Sequence, residues 1–127
     1  MMLKTKYDVS WINGGFYIKF FDIIDKHALL EANYCIYGKP QFEEASFQLL
    51  DFLEITDFKV QMTEARIIGA LDKSASKWNS SMKVAVVTKH PTVLEFTKYY
   101  KESLINTNWT CQTFDSIESA MDWSFNY

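Results

Sequence analysis

Residues Lys83 to Lys89, KVAVVTK, constrain the fold more than any other stretch. Val84 to Val87 are apolar without interruption and three of the four are valine, so the run suits a strand covered on both faces. Trp78-Asn79-Ser80-Ser81 precedes it and His90-Pro91 follows it, which bounds it tightly. Such a strand needs a neighbour on each side and a layer above and below. The expectation is the central strand of a parallel sheet.

The elements around it follow in order. Tyr7 to Ile12 and Phe16 to Phe20 flank Asn13-Gly14-Gly15, and Asn-Gly favours the positive φ of a tight hairpin. Tyr7, Val9 and Trp11 share one face of the first strand, and Phe16, Ile18 and Phe20 one face of the second. Helix one is expected over Asp25 to Tyr37, capped by Asp25 or Asp22 and stopped at Gly38-Lys39-Pro40. Its apolar stripe is Ala28, Leu29, Ala32, Cys35 and Ile36, leaving Leu30, Tyr34 and Tyr37 on another side.

Strand three is expected over Phe47 to Phe52, and helix two between Val60 and Lys77 with Ile67, Ile68, Leu71, Ala75 and Trp78 as its stripe. The start of helix two is poorly marked, with Thr56, Asp57 and Thr63 all acceptable caps. Its interior Gly69 costs about 1 kcal/mol relative to Ala, so this helix should be weak toward its N-terminus. Pro91 opens helix three, which runs to about Ile105 with Val93, Phe96, Tyr100 and Leu104 inward. Strand five is Thr110 to Phe114, and helix four starts at Asp115-Ser116 and points Ile117, Met121 and Phe125 inward. Alternating strand and helix after a hairpin predicts an α/β fold: a five-stranded, mostly parallel sheet with about four helices. Right-handed crossovers put successive helices on one face. Asp22, Asp51 to Asp57, Lys89-His90 and Asp115 are then expected in loops at the strands' carboxyl ends.

Composition narrows the function. A chain of 127 residues, 48% apolar, fits one domain over 1–127 that closes its own core. The net charge of −3 and the lack of a basic run argue against nucleic acid. Cys35 and Cys111 form no CxxC and read as reduced, buried small hydrophobes. The start, MMLKTKYDVS, lacks a signal-peptide pattern, and no apolar run is long enough to span a membrane, so the expected location is the cytoplasm. Aromatics are 17%, more rings than the assigned core positions use.

A hairpin, repeated helix–strand units and a closing helix containing Ala120-Met121-Asp122-Trp123 resemble the SpoIIAA-like family, whose fold is shared by STAS and CRAL-TRIO domains. The carrying stretches are QLLDFLEI at Gln48 to Ile55 and KVAVVTKHP at Lys83 to Pro91. STAS regulators of the anti-sigma-antagonist kind carry Asp-Ser-Ser/Thr-Gly after the third strand. Here the region reads Asp51-Phe52-Leu53-Glu54-Ile55-Thr56-Asp57, so the phosphorylatable Ser does not carry over. The CRAL-TRIO side of the resemblance implies an apolar pocket under a movable helical gate.

No catalytic residue, metal or cofactor is implied. His27 and His90 are the only histidines and lack metal-ligand spacing. His90 reads as a polar residue beside a helix start, or with Lys89 as an anion contact. Asp51 and Glu54 read as capping and solvated carboxylates before an acid–base pair. No nucleophile motif or phosphate loop is present. The surplus rings, Tyr34, Tyr37, Phe58, Tyr99, Trp109 and Trp123, are either core or ordinary amphipathic surface residues, or they mark a partner interface or a lipid-facing surface.

The leading expectation is a small cytoplasmic module that binds an apolar or lipid-like molecule and touches membranes peripherally through helices two and three. Ile67, Ile68, Leu71, Trp78, Phe96 and Tyr100 are the candidate cavity walls, and Glu64, Lys89 and His90 the candidate gate and anion contacts. The alternative is a STAS-type regulatory module that binds a protein partner and no ligand. Self-association through Leu30, Tyr34 and Tyr37, which lie off the main stripe of helix one, is a separate expectation. An enzyme acting on apolar substrates is a third reading.

Overall fold

The Asn13-Gly14 turn opens the structure as its residues dictate. In the computed structural model, which describes residues 6–126, both take positive φ, +49° and +90°. They join β1 (Tyr7–Ile12) to β2 (Gly15–Asp25) as a two-residue hairpin. There follow α1 (Lys26–Tyr37), a 3-10 helix (Pro40–Glu44), β3 (Phe47–Lys59), α2 (Met62–Ala75), β4 (Lys83–Val87), α3 (Pro91–Ser103), β5 (Thr110–Phe114) and α4 (Ile117–Phe125).

The five strands lie in chain order, β1-β2-β3-β4-β5, with β1 antiparallel to β2 and every other pair parallel. This is the expected mixed α/β sheet. Lys83–Val87 is inside it, with Val84 and Val87 fully buried, but the middle strand is β3 and β4 sits one place from the edge.

β2 and β3 run longer than their sequences suggested. Beyond the reach of β4, Phe21 to Asp25 still pair with Glu54 to Lys59 as a parallel two-stranded ribbon. Asp51 to Asp57 therefore belong to a strand rather than a loop, and Asp22 lies in β2. Asp22 has φ +59° at a register shift, a bulge that re-aims the strand.

The two faces are covered unequally. α1, α2 and α3 cover one, over Phe16, Ile18, Phe20, Phe52, Val84 and Val86. α4 alone covers the other, where Phe47, Leu49, Ala85, Val87 and Ala120 form a smaller core. Each fully buried aliphatic or Phe side chain contributes about 1.5–3 kcal/mol, so the three-helix face carries most of the stability. In α4 the deeply buried positions are Ala120 and Ser124. Phe125, expected inward, is half exposed, because it lies at the helix end and meets Phe47 edge-on.

α2 is rotated from the expected stripe. Its buried residues are Ala65, Ile68, Gly69, Asp72 and Ala75. Ile67 and Trp78 are 58% and 70% exposed. Gly69 explains the rotation: a Cβ there would lie 2.4 Å from the Ser103 Cβ, so only glycine lets α2 approach α3 this closely. The residue read as a weak point is the contact between the two helices. The start of α2 is also well made. Gln61 and Glu64 form a capping box, the Gln61 N–H donating to Glu64 Oε1 at 3.3 Å.

Candidate functional site

The caps position α1 and α3. Asp25 accepts the Ala28 N–H at 3.0 Å, and His90 Nδ1 accepts the Thr92 N–H at 3.2 Å, with Pro91 in the first turn of α3. His90 is itself the cap of α3, where its simpler reading had put it beside a helix start, and Lys89 next to it is exposed. Gly38 ends α1 with φ −79°, in the right-handed region, and its N–H bonds carbonyls of the last turn. Pro40 then starts the short 3-10 helix, which the sequence reading missed, and which brings Phe42 under the end of α1.

These elements frame an open groove of about 590 Å³ between the end of α1, the 3-10 helix and the end of α2. Tyr34 and Trp78 stand on its walls, 59% and 70% exposed, with Leu71, Ala75 and Phe42 below them and Lys39 and Glu43 at the rim. Tyr37 also lines the groove, meeting Tyr34 and Phe42 edge-on at 6.2 and 5.3 Å. Of the three residues expected to drive self-association, only Tyr34 is largely exposed. Leu30 packs against the core, and the Tyr37 hydroxyl turns inward.

Behind Tyr37 lies a buried carboxylate. Asp72, 2% exposed on α2, accepts hydrogen bonds from the hydroxyls of Tyr37 on α1 and Tyr100 on α3, the latter at 2.5 Å. One side chain therefore ties three helices together. Burial pushes the Asp72 carboxyl up to about 6, against the lowering pull of the Tyr100 and Tyr37 hydrogen bonds. Burial, reinforced by the nearby carboxylate, pushes both phenols up as well.

Beside Asp72 is a small cavity of about 30 Å³ between the sheet and the three helices, which Asn33, Ile68, Phe96, Thr97 and Tyr100 help to line. Of the six expected cavity walls, the structure brings Ile68, Phe96 and Tyr100 together here. It places Leu71 and Trp78 in the open groove, and Ile67 in neither. Glu64 is occupied in the capping box. Asp72, Asn33 and Thr97 were missed. A signal existed for Asp72: it falls seven residues after Ala65, at the helical spacing of a buried stripe, in a chain with spare tyrosines.

Elsewhere, Asn79 donates to the carbonyls of Phe42 and Ala45, at 2.8 and 2.7 Å. Its own carbonyl accepts from Trp109 Nε1 at 2.8 Å. Trp109 is thereby a core residue that fixes the groove floor from below. Among the described residues no three His, Cys, Asp or Glu side chains gather as a metal site, and no helix is long and apolar enough to cross a membrane.

No family model matches the chain, and no curated protein matches it in sequence. Solved structures do match. The anti-sigma factor antagonist SpoIIAA in its unphosphorylated form aligns with a TM-score of 0.64 at 11% identity, covering 95% of this chain and 99% of that one. An uncharacterized protein of the DUF3478 family from Shewanella loihica PV-4, described as having a SpoIIAA-like fold, aligns with a TM-score of 0.54 at 13% identity, over 92% and 90%. At these identities the likeness speaks for backbone architecture alone, and with the strand order and helix placement above it establishes that this chain has the SpoIIAA-like fold.

Proposed function

We propose that the protein is a STAS-type interaction module that docks a protein partner in the groove between α1, the 3-10 helix and α2. The observation that carries this reading is the pair Tyr34 and Trp78, standing 59% and 70% exposed across an open groove of about 590 Å³. Large rings give much contact area for few rotatable bonds, which is why Tyr and Trp anchor protein interfaces. Leu71, Ala75 and Phe42 supply an apolar floor and Lys39 and Glu43 a polar rim, the layout of a docking patch. The occupant is a partner segment that offers one aliphatic or aromatic side chain to the floor. The likeness to an anti-sigma factor antagonist supports the same use of the fold.

The core cavity argues in the same direction. At about 30 Å³ it has room for about one water and none for an acyl chain.

The test compares wild type with Tyr34→Ser/Trp78→Ser, both affinity-purified from cells and examined by native mass spectrometry. Both side chains are exposed, so the variant should melt with the wild type. A stoichiometric protein bound to wild type and lost from the variant is the expected result. A lipid carried equally by both, without protein, would replace this reading with a lipid carrier. A mass of two chains, reduced to one in the variant, would make the partner a second copy.

A further inference from the structure

We propose that the small cavity beside Asp72 is a binding site for one water molecule, held between Asn33 Nδ2, the Asp72 carboxylate and Thr97 Oγ1. The site is separate from the groove and does not depend on its reading.

Two observations carry it independently. The first is a donor without an acceptor. Asn33 is 8% exposed, lines the cavity, and its Nδ2 meets no hydrogen-bond partner. Buried amides are nearly always paired, so this one points to an occupant.

The second is a set of acceptors with capacity to spare. Asp72 Oδ1 takes one hydrogen from Tyr37 and Oδ2 one from Tyr100, and each carboxylate oxygen accepts more than one. Thr97 Oγ1 gives its hydrogen to the Val93 carbonyl at 2.8 Å and keeps its lone pairs. Thr97 is 2% exposed, so bulk water does not reach it.

These groups select the occupant. It must accept from Nδ2–H and donate to a carboxylate or hydroxyl oxygen. Water does both. Ammonium and metal cations cannot accept, and an apolar guest does neither. A water needs about 10–15 Å³ of such space and two to four polar partners. The cavity offers about 30 Å³, which leaves no room for a larger polar molecule. With the water in place, one hydrogen-bonded cluster joins α1 through Asn33 and Tyr37, α2 through Asp72, and α3 through Thr97 and Tyr100.

The test is a crystal structure of the whole chain at atomic resolution, paired with detection of long-lived water by NMR. The expected result is one density peak within hydrogen-bond distance of Asn33 Nδ2 and the Asp72 carboxylate, with cross-peaks from that water to nearby protons. Asn33→Leu should fill the space and abolish both signals. Thr97→Val keeps the shape and removes one acceptor, so the water's residence time should fall about tenfold; this variant serves if Asn33→Leu does not fold. Xenon under pressure supplies the opposing outcome, because a dry apolar cavity takes up such a guest. An empty cavity in wild type, or one that xenon enters, would overturn the proposal.

Discussion

Two aspartates are buried against tyrosine hydroxyls, one on each face of the sheet, and they are held by different means. Asp51 lies on β3 on the α4 side, 3% exposed; it accepts the Tyr17 hydroxyl and the backbone N–H of Leu53, the latter at 3.0 Å. Asp72 lies within α2 on the three-helix side and accepts two phenols, with no backbone donor among its hydrogen bonds. The difference is one of local geometry. A carboxylate in an irregular strand can reach the N–H two residues on. In the middle of a helix those N–H groups are already committed to carbonyls four residues back. Asp72 must therefore draw its partners from other helices. Its hydrogen bonds exist only if α1, α2 and α3 are assembled, whereas half of the Asp51 pattern is local.

The comparison is broken most severely by separating the helices. Gly69→Val puts side-chain atoms where Ser103 already sits, 2.4 Å from the Cβ position, one turn before Asp72. The expected loss is about 3 kcal/mol in urea unfolding, with the Asp72–Tyr100 bond broken. A variant within about 0.5 kcal/mol of wild type would show that α2 can lift without cost, the size of an ordinary surface change.

Next in size is a pH dependence that belongs to Asp72. Its folded value of about 6 lies above the ordinary carboxylate value of 3.8. The folded protein thus holds this proton more tightly than the unfolded chain. The stabilisation is fully present below the unfolded value and is lost as pH rises through the folded one. Going from about pH 7.5 to about pH 5, this group should add about 1.4 kcal/mol to the unfolding free energy. Asp72→Asn should remove that component of the pH profile. An unchanged profile in the variant would assign the dependence to other groups.

Asp51→Ala should be milder, about 1 kcal/mol, since Tyr17 is only half-buried and its hydroxyl can turn to water. A loss equal to that of Gly69→Val would mean that the α4 face is as tightly specified as the other. The smallest effect is expected from Lys19→Ala, which removes the 3.1 Å ion pair to Glu54 on the exposed edge of the same region. The loss should stay below about 0.5 kcal/mol and shrink in high salt.

Much of this architecture was readable along the chain. Asn13-Gly14 specified the hairpin, Asp25 and Pro91 marked helix starts, and Val84 to Val87 announced a buried strand. The stripe of α3 held in full, because Val93, Phe96, Tyr100 and Leu104 have a single apolar face to offer. α2 was misread because its sequence offers two faces. Ile67, Leu71 and Trp78 form the more apolar one, yet the smaller side of Ala65, Gly69 and Ala75 is buried. Close approach to α3 outweighed side-chain hydrophobicity there. The length of β3 was misread for a related reason: its outer half gains stability from Phe58 packing on Phe96 of α3, a contact between residues far apart in the chain.

By itself the sequence determined the order and type of the elements, since turn chemistry, capping and period-two or period-3.6 patterns act within a few residues. Which face of α2 turns inward, where Asp72 finds its partners, and how Tyr34 and Trp78 come to face one groove were decided only by tertiary structure. Those outcomes depend on distances between residues far apart in the chain: Asp72 meets Tyr37 and Tyr100 across separations of 35 and 28 residues. A pattern read along one helix carries no record of which neighbour will press against it. Gly69 is the residue through which that neighbour made the choice, by admitting α3 to a distance that any side chain would have refused.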